Sequence, residues 1–213
     1  MMGLNTITRC DRVLLYHLSW QQFEQLVQEL GEQGGVRIAY DSGTLEILTP
    51  LPDHERYKES LSDIIKDMAE VLERDYLSLG STTWKRERQL AGVEADNCFY
   101  FENESRVRGR STVNLEQDPP PDLVLEIDLT HKSLNRLPIY ARLGVPELWN
   151  YDVELGELRI YQLQGQGYES CTQSRIFPEI AIAEIPQLLK QYEPQGQLAM
   201  RRQLREWVRR QLS

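Results

Sequence analysis

Segments of strand-like and helix-like periodicity interleave along these 213 residues, and that interleaving reads as an α/β (α+β) protein: a mixed β-sheet core flanked by helices, with further helices at the C-terminus. Two stretches carry the reading. Between residues 122 and 151 a strand, a short helix and a second strand follow one another, which is the grammar of a parallel pair joined by a crossover. Upstream, two apolar runs joined by Asp41-Ser42-Gly43 read as a hairpin. The length suits one domain over residues 1–213, with 184–213 as a helical extension.

Each element has a local reason. Ser19 followed by Trp20-Gln21-Gln22 forms an N-cap with a polar residue three positions on, and Phe23, Leu26, Val27 and Leu30 recur at helical spacing up to Gly31. The hairpin strands span 36–40 and 44–48. Pro50 and Pro52 stop the second strand, Asp53 is placed to cap, and Tyr57, Leu61, Ile64, Ile65, Met68, Val71 and Leu72 mark a long helix over about 53–75. Short strands are expected at 77–79, 83–88 and 98–102, and a polar, weakly patterned loop at 102–117. A strand at 122–129 precedes a helix that begins at Ser133, carries Pro138 in its early turns and ends at Gly144. A strand at 147–151, a hairpin over 158–163 and 168–172, and helices over 184–192 and 196–212 complete the chain.

Composition removes several function classes. The formal charge of −9 argues against coating nucleic acid by bulk attraction, although it leaves room for an acidic site neutralised by metal. No segment approaches the roughly 18 apolar residues that a membrane helix needs, and no basic-then-apolar leader opens the sequence. Cys10, Cys98 and Cys171 form no Cys-x-x-Cys pair, which points to a reducing cytoplasm. There is no phosphate-binding Gly-x-x-x-x-Gly-Lys loop, Gly-x-Gly-x-x-Gly or Gly-x-Ser-x-Gly. His54 and His131 lack zinc-ligand spacing. Trp149 and Tyr151 fall in an apolar strand and read as core rather than as base-stacking platforms.

The most informative stretch is Pro121-Asp122-Leu123-Val124-Leu125-Glu126-Ile127-Asp128. Alternation puts Asp122, Val124, Glu126 and Asp128 on one face and Leu123, Leu125, Ile127 and Leu129 on the other. Carboxylates that converge to about 5 Å repel by roughly 3 kcal/mol at an effective dielectric near 20. A hard divalent cation would offset that repulsion. A strand end emerging into water after Asp118-Pro119-Pro120-Pro121 would also tolerate it, and this stretch alone leaves both readings open.

The block from Pro121 to Asp152, and above all Leu137-Pro138-Ile139-Tyr140-Ala141-Arg142-Leu143-Gly144-Val145-Pro146-Glu147, resembles the Uma-type restriction endonuclease family, numerous in cyanobacteria, within the PD-(D/E)xK nuclease superfamily. The likeness runs from about residue 15 onward and includes Leu51-Pro52-Asp53-His54-Glu55 and Glu94-Ala95-Asp96, where alanine replaces the commoner proline. It implies a restriction-endonuclease-like core and a Mg²⁺- or Mn²⁺-dependent cut in DNA, with a homodimer as the common way to cut both strands. It also implies Asp96, Glu126 and the Ile127 carbonyl as metal ligands, with Asp122 or Asp128 as an accessory acid. Either His54 or Glu59 of the long helix is expected to face the site. Where the superfamily has lysine two residues after the glutamate, this chain has Asp128, and the cation is expected from the next helix at Arg136, with Lys132, Lys85 and Arg86 as further candidates. Arginine grips phosphate in bidentate fashion but does not deprotonate water. Each basic residue also admits a plain reading as a solvated or surface-paired side chain.

The last helix carries Arg201, Arg202, Arg205, Arg209 and Arg210 around Leu204, Trp207 and Val208. These arginines suit a guide for a phosphate backbone or the solvated face of a docked helix. Three functions stay in view: a metal-dependent nuclease, a binding module that keeps the nuclease fold without efficient chemistry, and a hydrolase of another phosphate ester.

Overall fold

The computed structural model describes residues 12–31, 35–129 and 134–212, so the expectations on Cys10, His131, Lys132 and Ser133 lie outside the described residues. In chain order the elements are β1 (Arg12–Leu15), α1 (Trp20–Gly31), β2 (Arg37–Asp41), β3 (Thr44–Leu48), α2 (Pro52–Val71), β4 (Leu77–Ser78), β5 (Thr83–Arg86), β6 (Ala91–Glu94) and β7 (Asn97–Tyr100). They continue with α3 (Glu104–Val107), β8 (Leu123–Asp128), α4 (Leu137–Leu143), β9 (Glu147–Asp152), β10 (Glu157–Gln164), β11 (Gly167–Cys171), α5 (Ile185–Tyr192) and α6 (Gln197–Gln211). The strands form two sheets. One is antiparallel throughout, in the order β1-β3-β2-β6-β5; the other is mixed, in the order β11-β10-β9-β8-β7-β4, with β8 and β9 as its parallel pair.

Strand β8 divides the interior as its alternation requires. Leu123, Leu125 and Ile127 face a core closed by Leu61, Ile64, Ile65 and Met68 of α2 and by Leu204, Trp207 and Val208 of α6. Val124 faces the opposite core, where Ile139, Tyr140 and Leu143 of α4 meet Ala39, Val93 and Trp84 of the antiparallel sheet. Glu126 and Asp128 lie on this second face, between α4 and the junction of the two sheets.

The N-cap of α1 and the C-terminus of α4 follow their sequence cues. Ser19 Oγ accepts from the Gln22 N–H at 3.2 Å while Gln22 Oε1 accepts from the Ser19 N–H at 2.8 Å, which is a complete capping box. Gly144 ends α4 at φ 81°, where a side chain would be strained. Two helix starts differ: α4 begins at Leu137 rather than at Ser133, with residues 134–136 outside the helix and Pro138 in its first turn, and in α2 Pro52 occupies the first turn, Leu51 is the N-cap without a side-chain bond, and Asp53 lies inside the helix, opposite in sign to the positive helix end. Two strands lay beyond the periodicity, β1 and β6, each four residues long. The polar segment 102–117 contains α3 and buries Val107 and Leu115.

Glu147, the first residue of β9, is fully buried. It accepts from Trp149 Nε1 at 2.7 Å, Ser174 Oγ at 2.5 Å and the Arg175 N–H. Burial raises its carboxyl pKa, and these donors pull part of that rise back. Glu147 thus ties β9 to the segment that leads into the C-terminal helices.

Gly92 in β6 lets α1 close onto the antiparallel sheet: a Cβ there would lie 2.5 Å from Phe23 Cζ, and Phe23 stacks on Tyr40 with centroids 4.6 Å apart. Gly92→Ala is expected to lower stability by about 1–3 kcal/mol through overpacking. Chemical denaturation of Gly92→Ala, and of the same variant with Phe23→Leu to relieve the clash, measures it; no recovery in the double variant would contradict this packing account.

Candidate active site

The chain leaves the antiparallel sheet at Glu94 and enters the mixed sheet at Asn97, so Asp96 sits on the crossing between them. Strand β7 pairs with β8 in the register Asn97↔Leu125, and continuing that register by one residue sets Asp96 across from Glu126. Asp96 Oδ2 accepts from the Ile127 N–H at 2.8 Å. A strand residue directs its N–H and C=O to the same side, so the Ile127 carbonyl leaves toward Asp96 as well. Both carboxylates are buried, Asp96 at 1% and Glu126 at 2% exposure.

Buried carboxylates persist only beside opposite charge or hydrogen-bond donors. Arg136 Nη1 donates to Glu126 Oε2 at 2.6 Å, and the Tyr140 hydroxyl donates to Glu126 Oε1. Their spacing of four puts both on one flank of the α4 start, over β8. On the other side, Arg37 Nε lies 3.5 Å from Asp96 Oδ1 and His54 Nε2 lies 3.1 Å from Asp96 Oδ2. Arg37 also reaches Glu94 at 3.0 Å and Glu55 at 3.3 Å. Burial works against the Arg136 charge, but Glu126 and then Asp96 outweigh it and hold its pKa above the ordinary arginine value. The same guanidinium therefore answers both acids. Burial and then the Glu126 carboxylate push the Tyr140 phenol well above its ordinary range, so it remains a donor. Burial also raises Glu94, with Arg37 pulling it part of the way back.

The residues expected at the site divide clearly. Asp96, Glu126, Arg136 and the Ile127 backbone come together. Asp122 Oδ2 accepts from the N–H groups of Phe101 and Asn103 at 2.8 and 3.0 Å, and Oδ1 accepts from Asn103 Nδ2 at 2.6 Å, so its carboxylate holds the turn before α3. Asp128 Oδ2 accepts from Asn150 Nδ2 at 2.7 Å on the neighbouring parallel strand. His54 faces Asp96, whereas Glu59 is exposed and pairs with Lys58 at 3.6 Å. Lys85 is engaged by Glu24 at 2.9 Å, and Arg86 donates to the Leu115 carbonyl at 3.1 Å. Lys132 lies outside the described residues. Arg37 and the Tyr140 hydroxyl were not among the expected site groups. Arg37 lies in a hairpin of the other sheet, and Tyr140 read as core because its ring is core.

On α6, Arg201 grips Asp67 of α2 through Nε at 2.9 Å and Nη2 at 2.8 Å, and Arg205 reaches Glu70 at 3.3 Å. These two arginines dock the helix; Arg202, Arg209 and Arg210 are exposed. Among the described residues no helix is long and apolar enough to cross a membrane.

Among the described residues no three His, Cys, Asp or Glu side chains converge to hold a metal. Two carboxylates and a carbonyl nevertheless fit a hard cation, because magnesium is commonly held by one or two carboxylates, with water and substrate phosphate filling the remaining positions.

A mixed sheet with an acidic parallel strand, faced by a basic helix start, places the chain among restriction-endonuclease-like proteins: residues 20–200 match the model of a family described as "Putative restriction endonuclease". The chain belongs to that family, Uma2. A crystal structure described as a putative nuclease belonging to DUF820 from Anabaena variabilis is similar at 14% identity and a TM-score of 0.48, over 80% of this chain and 90% of that one. No curated protein matches.

Asp122→Ala would strand three donors around residues 101–103, and a loss of about 2–3 kcal/mol is expected in urea denaturation. An unchanged midpoint would show that Asp122 is not the anchor of that turn.

Proposed function

We propose that this protein is a divalent-cation-dependent endodeoxyribonuclease and that the crossing at Asp96 is its active site. The observation that carries the reading is the pair of buried carboxylates, Asp96 and Glu126, set across adjacent strands, with the Arg136 guanidinium bonded to Glu126 and the Arg37 guanidinium beside Asp96. Asp96, Glu126 and the Ile127 carbonyl would hold Mg²⁺ or Mn²⁺. Bound there, the ion supplies a lowered pKa for its water and charge neutralisation at the phosphate.

The chain's own groups divide the remaining work. Tyr140 and Arg136 fix the Glu126 carboxylate from two sides, so its oxygens are set before substrate arrives. The Ile127 N–H holds Asp96 Oδ2, and Arg37 and His54 flank the same carboxylate at 3.5 and 3.1 Å. Arg136 occupies the role that lysine fills in the superfamily: its positive charge faces the charge that develops on the phosphate, but it accepts no proton. Asp128, which stands where that lysine would be, bonds Asn150 and leaves the cationic role to α4.

Nicking of supercoiled plasmid during Mg²⁺ and Mn²⁺ titration, with thermal unfolding in parallel, tests the proposal. The wild type is expected to nick DNA and gain stability with metal, and Glu126→Gln to lose both effects. Glutamine is preferred to alanine because removing the side chain leaves Arg136 buried without its partner, at a cost of about 3–5 kcal/mol. Arg136→Gln is expected to keep the metal-induced stabilisation and lose about 10²–10³-fold in nicking rate. DNA binding without cleavage under any metal would replace the nuclease reading with that of a binding module.

A further inference from the structure

Glu126 is asked for twice. Its Oε2 accepts from the Arg136 guanidinium at 2.6 Å and its Oε1 from the Tyr140 hydroxyl, while the metal site proposed above needs the same carboxylate. Glu126 is 2% exposed and the Arg136 side chain 5%, so their contact lies where water screens charge poorly. In this state the guanidinium itself neutralises the carboxylate that an ion would use.

The two donors differ in how they meet an arriving ion. Burial, and then the Glu126 carboxylate, keep the proton on Tyr140, so the phenol is neutral. A neutral donor orients a ligating carboxylate and sets no charge against the metal. Arg136 stays positive at any ordinary pH, and a divalent cation at Glu126 would face it across a single carboxylate group. Like charges that close, away from water, repel strongly. The guanidinium has somewhere to go: a cleft of 320 Å³ borders Arg136. Arg136 also precedes Leu137, the first residue of α4, so turning its side chain outward leaves the helix in place.

We propose that Arg136 is an exchangeable counter-ion, which stabilises Glu126 in the metal-free protein and yields that place when a divalent cation binds. Metal and guanidinium are then antagonists at one carboxylate, while Tyr140 keeps Glu126 oriented through the exchange. Binding couplings are reciprocal, so whatever Arg136 costs the ion, the ion costs the Arg136–Glu126 contact. The arginine thereby holds the metal affinity down and makes occupancy follow the ambient cation level. This rests on the metal part of the nuclease reading and on no cleavage step. A purely structural Arg136 would behave oppositely: its removal would loosen Glu126 and weaken metal binding.

Calorimetric titration of the full chain with Mn²⁺ tests the exchange without any DNA. Arg136→Gln is expected to bind Mn²⁺ about tenfold or more tightly than the wild type. Arg136→Lys, which keeps the charge, is expected to stay near the wild-type affinity. Equal or weaker Mn²⁺ binding by Arg136→Gln, or no binding by either protein, overturns the proposal. So does a lysine variant that gains as much as the glutamine variant, because charge would then not be the cause. Should Arg136→Gln fail to fold, the wild type decides: in ¹⁵N spectra the guanidinium N–H groups of Arg136, assigned from Arg136→Lys, are expected to exchange with water faster once Mg²⁺ saturates the chain, and unchanged exchange counts against the proposal. Plasmid nicking by the same wild-type preparation keeps the two ideas apart. Nicking without the gain in Arg136→Gln removes the counter-ion exchange and leaves the nuclease, and the gain without nicking does the reverse.

Discussion

Two carboxylates held side by side in a protein interior repel each other and have lost most of their hydration, so the structure around them must supply positive charge in fixed places. Here that requirement reaches across the whole fold. Asp96 stands on the crossing between the sheets and Glu126 on a central strand of the mixed sheet, and the polar groups that flank them come from three further elements. Arg37 arrives from the antiparallel sheet, His54 from α2 and Arg136 from the start of α4. The sheets, α2 and α4 therefore meet at one charged knot, and the apolar cores on either side of β8 set how closely they meet.

That knot is also preorganised. Glu126 has a donor on each oxygen, and Asp96 accepts from the Ile127 N–H on Oδ2 with the Arg37 guanidinium 3.5 Å from Oδ1, so both orientations are set before a cation or phosphate arrives. The cost is that folding and site integrity are not separable: removing one charge leaves another buried and unanswered. Arg136 is the pivotal group because it touches Glu126, acts electrostatically on Asp96 and keeps one edge of its guanidinium uncommitted among the described residues.

Much of this architecture was legible in the residues, for reasons that are local. The capping box at Ser19, the Asp41-Ser42-Gly43 hairpin, the apolar spacing of α2 and the strand–helix–strand run from β8 to β9 all depend on neighbours a few positions apart. Alternation alone put Glu126 on the face opposite Leu125 and Ile127, where it lies. Asp96 was legible only through family resemblance, since nothing in the periodicity of residues 91–100 singles it out. Strands β1 and β6 are too short to display alternation, and β6 is held in place by partners on both sides rather than by its own pattern. Arg37 was illegible because its role exists only once the two sheets are brought together, while Asp122, expected at the strand's start in a structural or accessory part, binds the backbone donors of the turn before α3.

The docking of α6 carries a meaning for how this protein would meet a polyanion. Arg201 and Arg205, which by sequence could have formed a landing strip for phosphates, are the rivets that hold α6 against Asp67 and Glu70 of α2, and α2 is the helix whose first turn presents His54 to Asp96. A nucleic acid that captured those two side chains would have to pry the terminal helix from its seat and would slacken the element that steadies Asp96. Strong attraction at those two arginines would thus work against order at the far end of α2.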